Sequence, residues 1–171
     1  MDDEIKKVDN STDKITDMPK IHCPYVREEN EDGEYVVTPE LKDGFEWFKN
    51  DEKVDAVEKL HGTNVSVIIE DGSVSSVFNR QWRIPPFNKS KQYIIKGVLN
   101  SMKRGYVDLK DGQWFGELVG PKLQGNPYEL DEHLWIPFKR YSQRKLCYKS
   151  WGDYPQDFES ISEWFKDGLI P

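Results

Sequence analysis

Between Val65 and Arg80 the chain reads VSVIIEDGSVSSVFNR, two β-branched runs on either side of Asp71-Gly72. An Asp-Gly pair accepts the positive φ values of a two-residue turn, so the pattern predicts strand, tight turn, strand. Residues 105–120, GYVDLKDGQWFGELVG, repeat it around Asp111-Gly112 and predict a second hairpin. Between them, SKQYIIKGVLNSMKRG spaces Ile94, Val98 and Met102 four residues apart, with Ile95 and Leu99 beside them and Gly105 at the end. That is the period of an amphipathic helix with a glycine stop, packed on the sheets. In DFESISEWFKDG, Phe158, Ile161, Trp164 and Phe165 predict a second helix ending before Gly168. The aromatic run Phe45, Trp47, Phe48 suits strand or helix, and its period does not decide. The first 18 residues lack apolar periodicity and are expected to form a flexible acidic tail. The predicted fold is thus α+β, with antiparallel sheets and packed helices, in one domain over residues 19–171.

Composition agrees with one globular domain: of 171 residues, 36% are hydrophobic and 32% charged, the balance of neither a disordered nor a membrane protein. No stretch approaches the ~20 apolar residues that span a bilayer, and MDDEIKKVDNSTDK is unlike a signal peptide, so an intracellular protein with no membrane partner is expected. Cys23 and Cys147 lack metal-ligand spacing and are read as reduced structural thiols. His22 and His133 have no neighbour that suggests a metal or a base, and no metal-ligating residue is named.

Charge changes the picture. The net −7 is divided into −10 over residues 1–58, +7 over 59–150 and −4 over 151–171. A basic middle in an acidic protein is what phosphate handling at one place requires, although Lys89, Lys91, Lys103, Arg104, Arg144, Lys145 and Lys149 would equally serve to solvate helices and loops.

At the start of that basic part, DAVEKLHGTN, residues 55–64, runs across the boundary from the acidic segment. Lys59 follows a plausible strand end and precedes Gly62, which permits an unusual φ or close approach of a ligand. A lysine becomes a nucleophile when burial or neighbouring positive charge favours the neutral amine, whose lone pair attacks. By itself a KxxG tetrapeptide describes a surface lysine equally well.

The longer string EKLHGTNVSV resembles the nucleotidyltransferase motif of the ATP-dependent RNA ligases, in the branch that contains the second phage T4 RNA ligase and the kinetoplastid editing ligases. The match runs through Glu58, Lys59, His61, Gly62, Thr63 and Asn64. Two further blocks follow in the family's order: FNRQWR, with Arg80 at the arginine position, and WFGELVGPKLQGNPYEL, with Glu117 at the carboxylate position. The resemblance implies a covalent nucleotidyltransferase fold of ATP-grasp-like adenylation type, present in part. It also implies that Lys59 attacks the α-phosphate of ATP, releases pyrophosphate and carries AMP, which passes to an RNA 5′-phosphate before the RNA 3′-hydroxyl displaces it. Arg80 would hold ribose or phosphates and Glu117 would accept from ribose hydroxyls; a salt bridge between strands is the alternative for both. Glu58 would accept from the adenine amino group, Asn64 would help to hold phosphates, and His61 would support adenylation through the leaving phosphates. An aromatic of DEHLWIPFKRY, with Phe138 at the closest spacing and Trp135 and Tyr141 nearby, would stack on adenine. Mg²⁺ would sit largely on phosphate oxygens and water. His61 occupies the place of the aspartate usual in DNA ligases and GTP-using capping relatives, which argues against those two groups.

Two later family motifs, EGxVF and a paired-lysine KxK, have no counterpart in the required order: Glu-Gly does not occur, and Lys89 to Lys91 precede Glu117. The expectation is the front portion of the domain, poorly active in sealing by itself and completed by a C-terminal continuation or a second chain. A non-catalytic module that holds nucleotide or RNA is the alternative.

Overall fold

The computed structural model describes residues 14–20, 22–50, 56–138, 150–152 and 154–166. Nine strands and three helices lie within them, antiparallel wherever strands pair, so the α+β class stands. The chain divides into two compact units, residues 1–19 with 59–148 and residues 20–58 with 149–171, where composition suggests one domain.

The first unit is built on a five-stranded sheet. β4 (Thr63–Glu70) and β5 (Ser73–Asn79) form the predicted hairpin, with Glu70 opposite Ser73. Asp71 at φ 50° and Gly72 at φ 70° make its two-residue turn, the conformation for which Asp-Gly is suited. β6 (Trp82–Arg83), β7 (Gly112–Val119) and β8 (Leu134–Pro137) complete the order β6-β5-β4-β7-β8. The second predicted hairpin does not form. β7 pairs with β4 over Gly112–Leu118 and with β8 over Gly116–Val119, while residues 106–110 form no strand and pair with neither. Asp111 is not a turn residue of its own hairpin: its carboxylate accepts from the Asp71 and Gly72 N–H groups, both at 3.0 Å, and closes the first turn instead.

α2 (Gln92–Lys103) stops at Gly105 as predicted, with φ 70° there and the Gly105 N–H donating to the Met102 carbonyl. Its buried stripe is Ile94, Gly97, Val98 and Ser101, whereas Met102 and Leu99 are exposed. The face is therefore rotated from the expected one, because Ser101 bonds to the sheet: its Oγ accepts from the Trp135 N–H at 2.7 Å. Ile94 and Val98 join Val65, Val67, Val77, Ile84, Leu118 and Trp135 in the main core. Residues 14–18, placed in the tail from sequence, lie along this unit: Lys14 bridges Trp82, Ile15 N–H donates to the Gln81 carbonyl, and the Thr16 carbonyl accepts from Gln113 Nε2. The tail's first 13 residues lie outside the described residues.

The second unit pairs β1 (Tyr25–Glu29) with β2 (Tyr35–Leu41) and β3 (Ala56–Val57) with β9 (Ser150–Gly152). The Phe45-Trp47-Phe48 run resolves as a single helical turn, α1 (Trp47–Asn50). α3 (Phe158–Lys166) is the predicted second helix, and Gly168 lies outside the described residues. Tyr25 is the hub here, edge-on to Phe48 at 5.8 Å and to Phe158 at 5.1 Å.

Candidate functional site

One face of the five-stranded sheet is covered by α2; the other carries the polar residues singled out from sequence. Directly opposed residues in an antiparallel pair project to the same face, and alternate residues along a strand stay there. Asn64 opposes Glu117, Ser66 opposes both Phe115 and Phe78, and Glu117 opposes Ile136. Asn64, Ser66, Phe78, Phe115, Glu117 and Ile136 therefore share a face, and Val65, Val67, Leu118 and Trp135 share the opposite, helix-covered one.

Lys59 lies in the loop that enters β4. Leu60, only 1% exposed, anchors this loop in a small core with Tyr106, Val119, Leu134 and Ile136, while Lys59 itself stays exposed. Two hydrogen bonds fix the next residues: His61 N–H donates to the Tyr128 hydroxyl at 2.7 Å, and Gly62 N–H donates to Glu117 Oε1 at 3.1 Å. The second requires glycine, since a Cβ at Gly62 would lie 2.0 Å from the Leu118 carbonyl oxygen. The lysine loop and the β7 carboxylate are thereby joined directly.

Arg80 occupies the turn between β5 and β6 in the left-handed region, φ 55°, with its N–H donating to the Asn64 carbonyl at 3.2 Å. Burial raises the Glu117 carboxyl above its ordinary value of 4.5, opposed by the Gly62 N–H and by the positive charges of Lys59 and Arg80. Both cations act on Glu117 through space, and the close ion pairs found among the described residues, Arg104 with Glu132 and Lys166 with Glu163, involve neither. Lys59, Asn64, Arg80 and Glu117 are thus brought to one place.

A raised carboxyl pKa sets the sign of a pH effect. Folding favours protonated Glu117, so its contribution to stability is present below the ordinary pKa and lost as pH rises through the raised one. Glu117→Gln keeps an acceptor for Gly62 N–H and cannot ionise. Urea unfolding from about pH 4 to about pH 8 is expected to show the variant gaining on wild type as pH rises, by a small amount because the side chain is half-exposed. A gain that grows toward low pH would contradict the assignment.

Among the described residues, Asn64 Oδ1 and Ser66 Oγ on this face are buried without a hydrogen-bond partner, while Asn64 Nδ2 meets Met18 Sδ at 3.3 Å. Unsatisfied buried polar atoms are uncommon, and both lie on the face that carries Glu117. Phe138 is half-buried just beyond β8, two residues after Ile136 and so in phase with the Glu117 face, and its N–H donates to the Phe115 carbonyl. Trp135 is placed differently: fully buried on the helix side, with Nε1 donating to the Val65 carbonyl at 2.9 Å, it is core and unavailable for stacking. Tyr141 lies outside the described residues. Glu58 closes the second unit immediately before Lys59. His61 is exposed, and His133 accepts at Nε2 from the Lys122 N–H and packs on Tyr93, a structural role. Tyr128, Ser66 and Leu60 were not singled out from sequence. Tyr128 lies 67 residues from the amide it binds, a separation no local pattern marks.

A family model described as RNA ligase matches residues 52–168. No curated protein matches the chain. Among solved structures it is similar to Naegleria gruberi RNA ligases. One with PPi is 20% identical, with a TM-score of 0.38 over 48% of this chain and 24% of that chain. A mutant with ATP and Mn is 16% identical, with a TM-score of 0.41 over 90% of this chain and 46% of that one. Another mutant with ATP and Mn is 20% identical, with a TM-score of 0.38 over 66% and 32%. The chain spans less than half the length of each of these ligases.

Proposed function

This chain belongs to the RNA ligase family, and from that premise we propose that it is the front portion of a covalent nucleotidyltransferase domain that takes AMP from ATP onto Lys59. The HGTN string after the lysine supports, by resemblance, the branch of the second phage T4 RNA ligase and the editing ligases. The observation that carries the reading is the tie between the Lys59 loop and Glu117 through Gly62 N–H, on the sheet face that also presents Asn64.

In the proposed reaction the neutral Lys59 amine forms a P–N bond to the α-phosphorus, the bond from that phosphorus to the bridging oxygen breaks, and pyrophosphate leaves with that oxygen. The ammonium proton is lost to solvent or to the leaving phosphates, which exposed His61 can assist. Arg80 holds phosphate or ribose oxygens, and Glu117 accepts from a ribose hydroxyl through the oxygen that Gly62 does not occupy. Asn64 turns its buried Oδ1 to the nucleotide, Phe138 stacks on the adenine and Glu58 selects its amino group. Positioning and charge neutralisation carry such transfers. When bound, Mg²⁺ offsets the triphosphate charge. Glu117 already accepts from a backbone N–H, so the hard oxygen ligands a divalent cation needs come chiefly from the phosphates. An RNA 5′-phosphate then takes AMP from Lys59 and the RNA 3′-hydroxyl displaces it. Sealing draws on the later carboxylate and lysines of the family, supplied by a continuation or a second chain.

Intact-protein mass spectrometry tests the first step. After incubation with ATP and Mg²⁺ the wild-type chain is expected to gain one AMP through an acid-labile bond, and to gain no GMP from GTP. A folded, ATP-binding chain that acquires no adduct would refute adenylation and favour a binding module.

A further inference from the structure

Residues 80–91, RQWRIPPFNKSK, hold Arg80, Arg83, Lys89 and Lys91 and no carboxylate, in a chain of net charge −7. Lys14 adds a fifth cation, its Nζ 5.1 Å from the centre of the Trp82 ring. Two aromatic rings stand in the same stretch facing solvent: Trp82 is 56% exposed on the edge strand β6, and Phe87 is 91% exposed.

Phe87 is displayed on a well-tied support. Ile84, 3% exposed, anchors the stretch in the main core. Asn88 N–H donates to the Pro85 carbonyl, Gln92 Nε2 donates to the Pro86 carbonyl, and Asn88 Oδ1 accepts from Lys91 N–H to cap the 3-10 turn Lys89–Lys91. Pro85 and Pro86 restrict the backbone further. An ordered support that holds a phenyl ring in water, between cations, is organised for a partner that is flat and anionic.

We propose that the β6 edge and the loop after it, with Phe87 and Trp82 as stacking platforms and Arg83, Lys89 and Lys91 on the phosphates, form a docking surface for single-stranded RNA. The inference rests on the RNA ligase reading for the identity of the nucleic acid. Unpaired bases stack on aromatic rings while cations track the backbone, and a duplex, whose bases are already stacked, offers no face to Phe87. The stretch begins at Arg80, whose charge acts on Glu117, and continues along the edge strand, so an RNA end held near the nucleotide would lead onto it.

Fluorescence anisotropy with a 3′-labelled, 5′-phosphorylated single-stranded RNA of about twelve nucleotides tests this on the whole chain. Phe87→Ala is expected to weaken binding about tenfold, the loss of one base stack, and to leave affinity for a blunt RNA duplex unchanged. The triple variant R83A/K89A/K91A is expected to lower the slope of log K against log salt by about 2. Neither change touches a residue assigned to the nucleotide, so AMP transfer to Lys59 should persist. Wild-type affinity for single strands in Phe87→Ala, with an unchanged unfolding midpoint, would overturn the proposal. So would an equal loss on duplex RNA, or a surface that binds anionic vesicles while RNA binding is unaffected. If Phe87→Ala loses RNA but the wild type never forms lysyl-AMP, the surface stands and the adenylation reading falls. Intact adenylation with an insensitive Phe87→Ala gives the reverse.

Discussion

Lys59→Ala is expected to gain no AMP from ATP and Mg²⁺ under conditions in which the wild-type chain is labelled, a loss of at least about a thousandfold. In the proposed reaction the amine nitrogen is the atom that bonds to phosphorus, and alanine has nothing to put in its place. Lys59→Arg should fail equally, because a guanidinium stays protonated and offers no lone pair. Neither substitution should disturb the fold: Lys59 is exposed, and the loop is held by buried Leu60 and by the His61 and Gly62 amides. Unfolding free energies within about 0.5 kcal/mol of wild type would show that only chemistry was lost. Peptide mapping checks the assignment, and a persistent adduct in Lys59→Ala would move the nucleophile elsewhere.

Gly62→Ala is expected to lower adenylation by about a hundredfold while Lys59 is still present. The added Cβ would meet the Leu118 carbonyl oxygen at 2.0 Å, its carbon at 2.9 Å and Val119 Cγ1 at 3.0 Å. Two of those atoms are backbone of a strand paired on both sides, so the loop must yield rather than the sheet. Withdrawal by about 1 Å breaks the bond from Gly62 N–H to Glu117 and would misplace Lys59 for the proposed attack, an error of the size that costs about two orders of magnitude. Stability should fall by about 1–3 kcal/mol, the range for overpacking. Gly72→Ala is the control: it also strains a glycine, at φ 70°, but meets no atom within 4 Å and lies at the hairpin turn. Single-turnover labelling should leave Gly72→Ala near wild type. Equal losses in both would show that the effect is general destabilisation.

The parts of this protein that sequence reveals are those with a local physical cause. Asp71-Gly72 makes its turn because two adjacent residues accept positive φ, and α2 stops at Gly105 for a reason contained within its last turn. Lys59, Arg80 and Glu117 are singled out because the residues flanking each resemble a family motif, and the order of those motifs along the chain is itself information.

Asp111-Gly112 has the same grammar as Asp71-Gly72 and a different outcome: the Asp111 carboxylate is engaged by the Asp71 and Gly72 amides of the first turn, and residues 106–110 form no strand. Trp135 and Phe138 are three residues apart and equally aromatic. Strand phase sends the first into the helix-covered core, with its indole N–H on Val65, and the second toward Glu117. The buried stripe of α2 includes Ser101 rather than Met102 because the hydroxyl meets a backbone amide of β8, a bond no hydrophobic period reports.

By itself the sequence determined the first hairpin with its turn, the helices α2 and α3, and the motif residues with their order, since each follows from the conformational preferences or chemistry of residues close together in the chain. Only the tertiary structure decided that Glu117 holds the Lys59 loop through Gly62, that Tyr128 holds it through His61, and that Trp135 is buried in the core. Those contacts join residues 55 and 67 positions apart, and the closure of such loops is settled by the packing of the whole sheet rather than by anything written near either end.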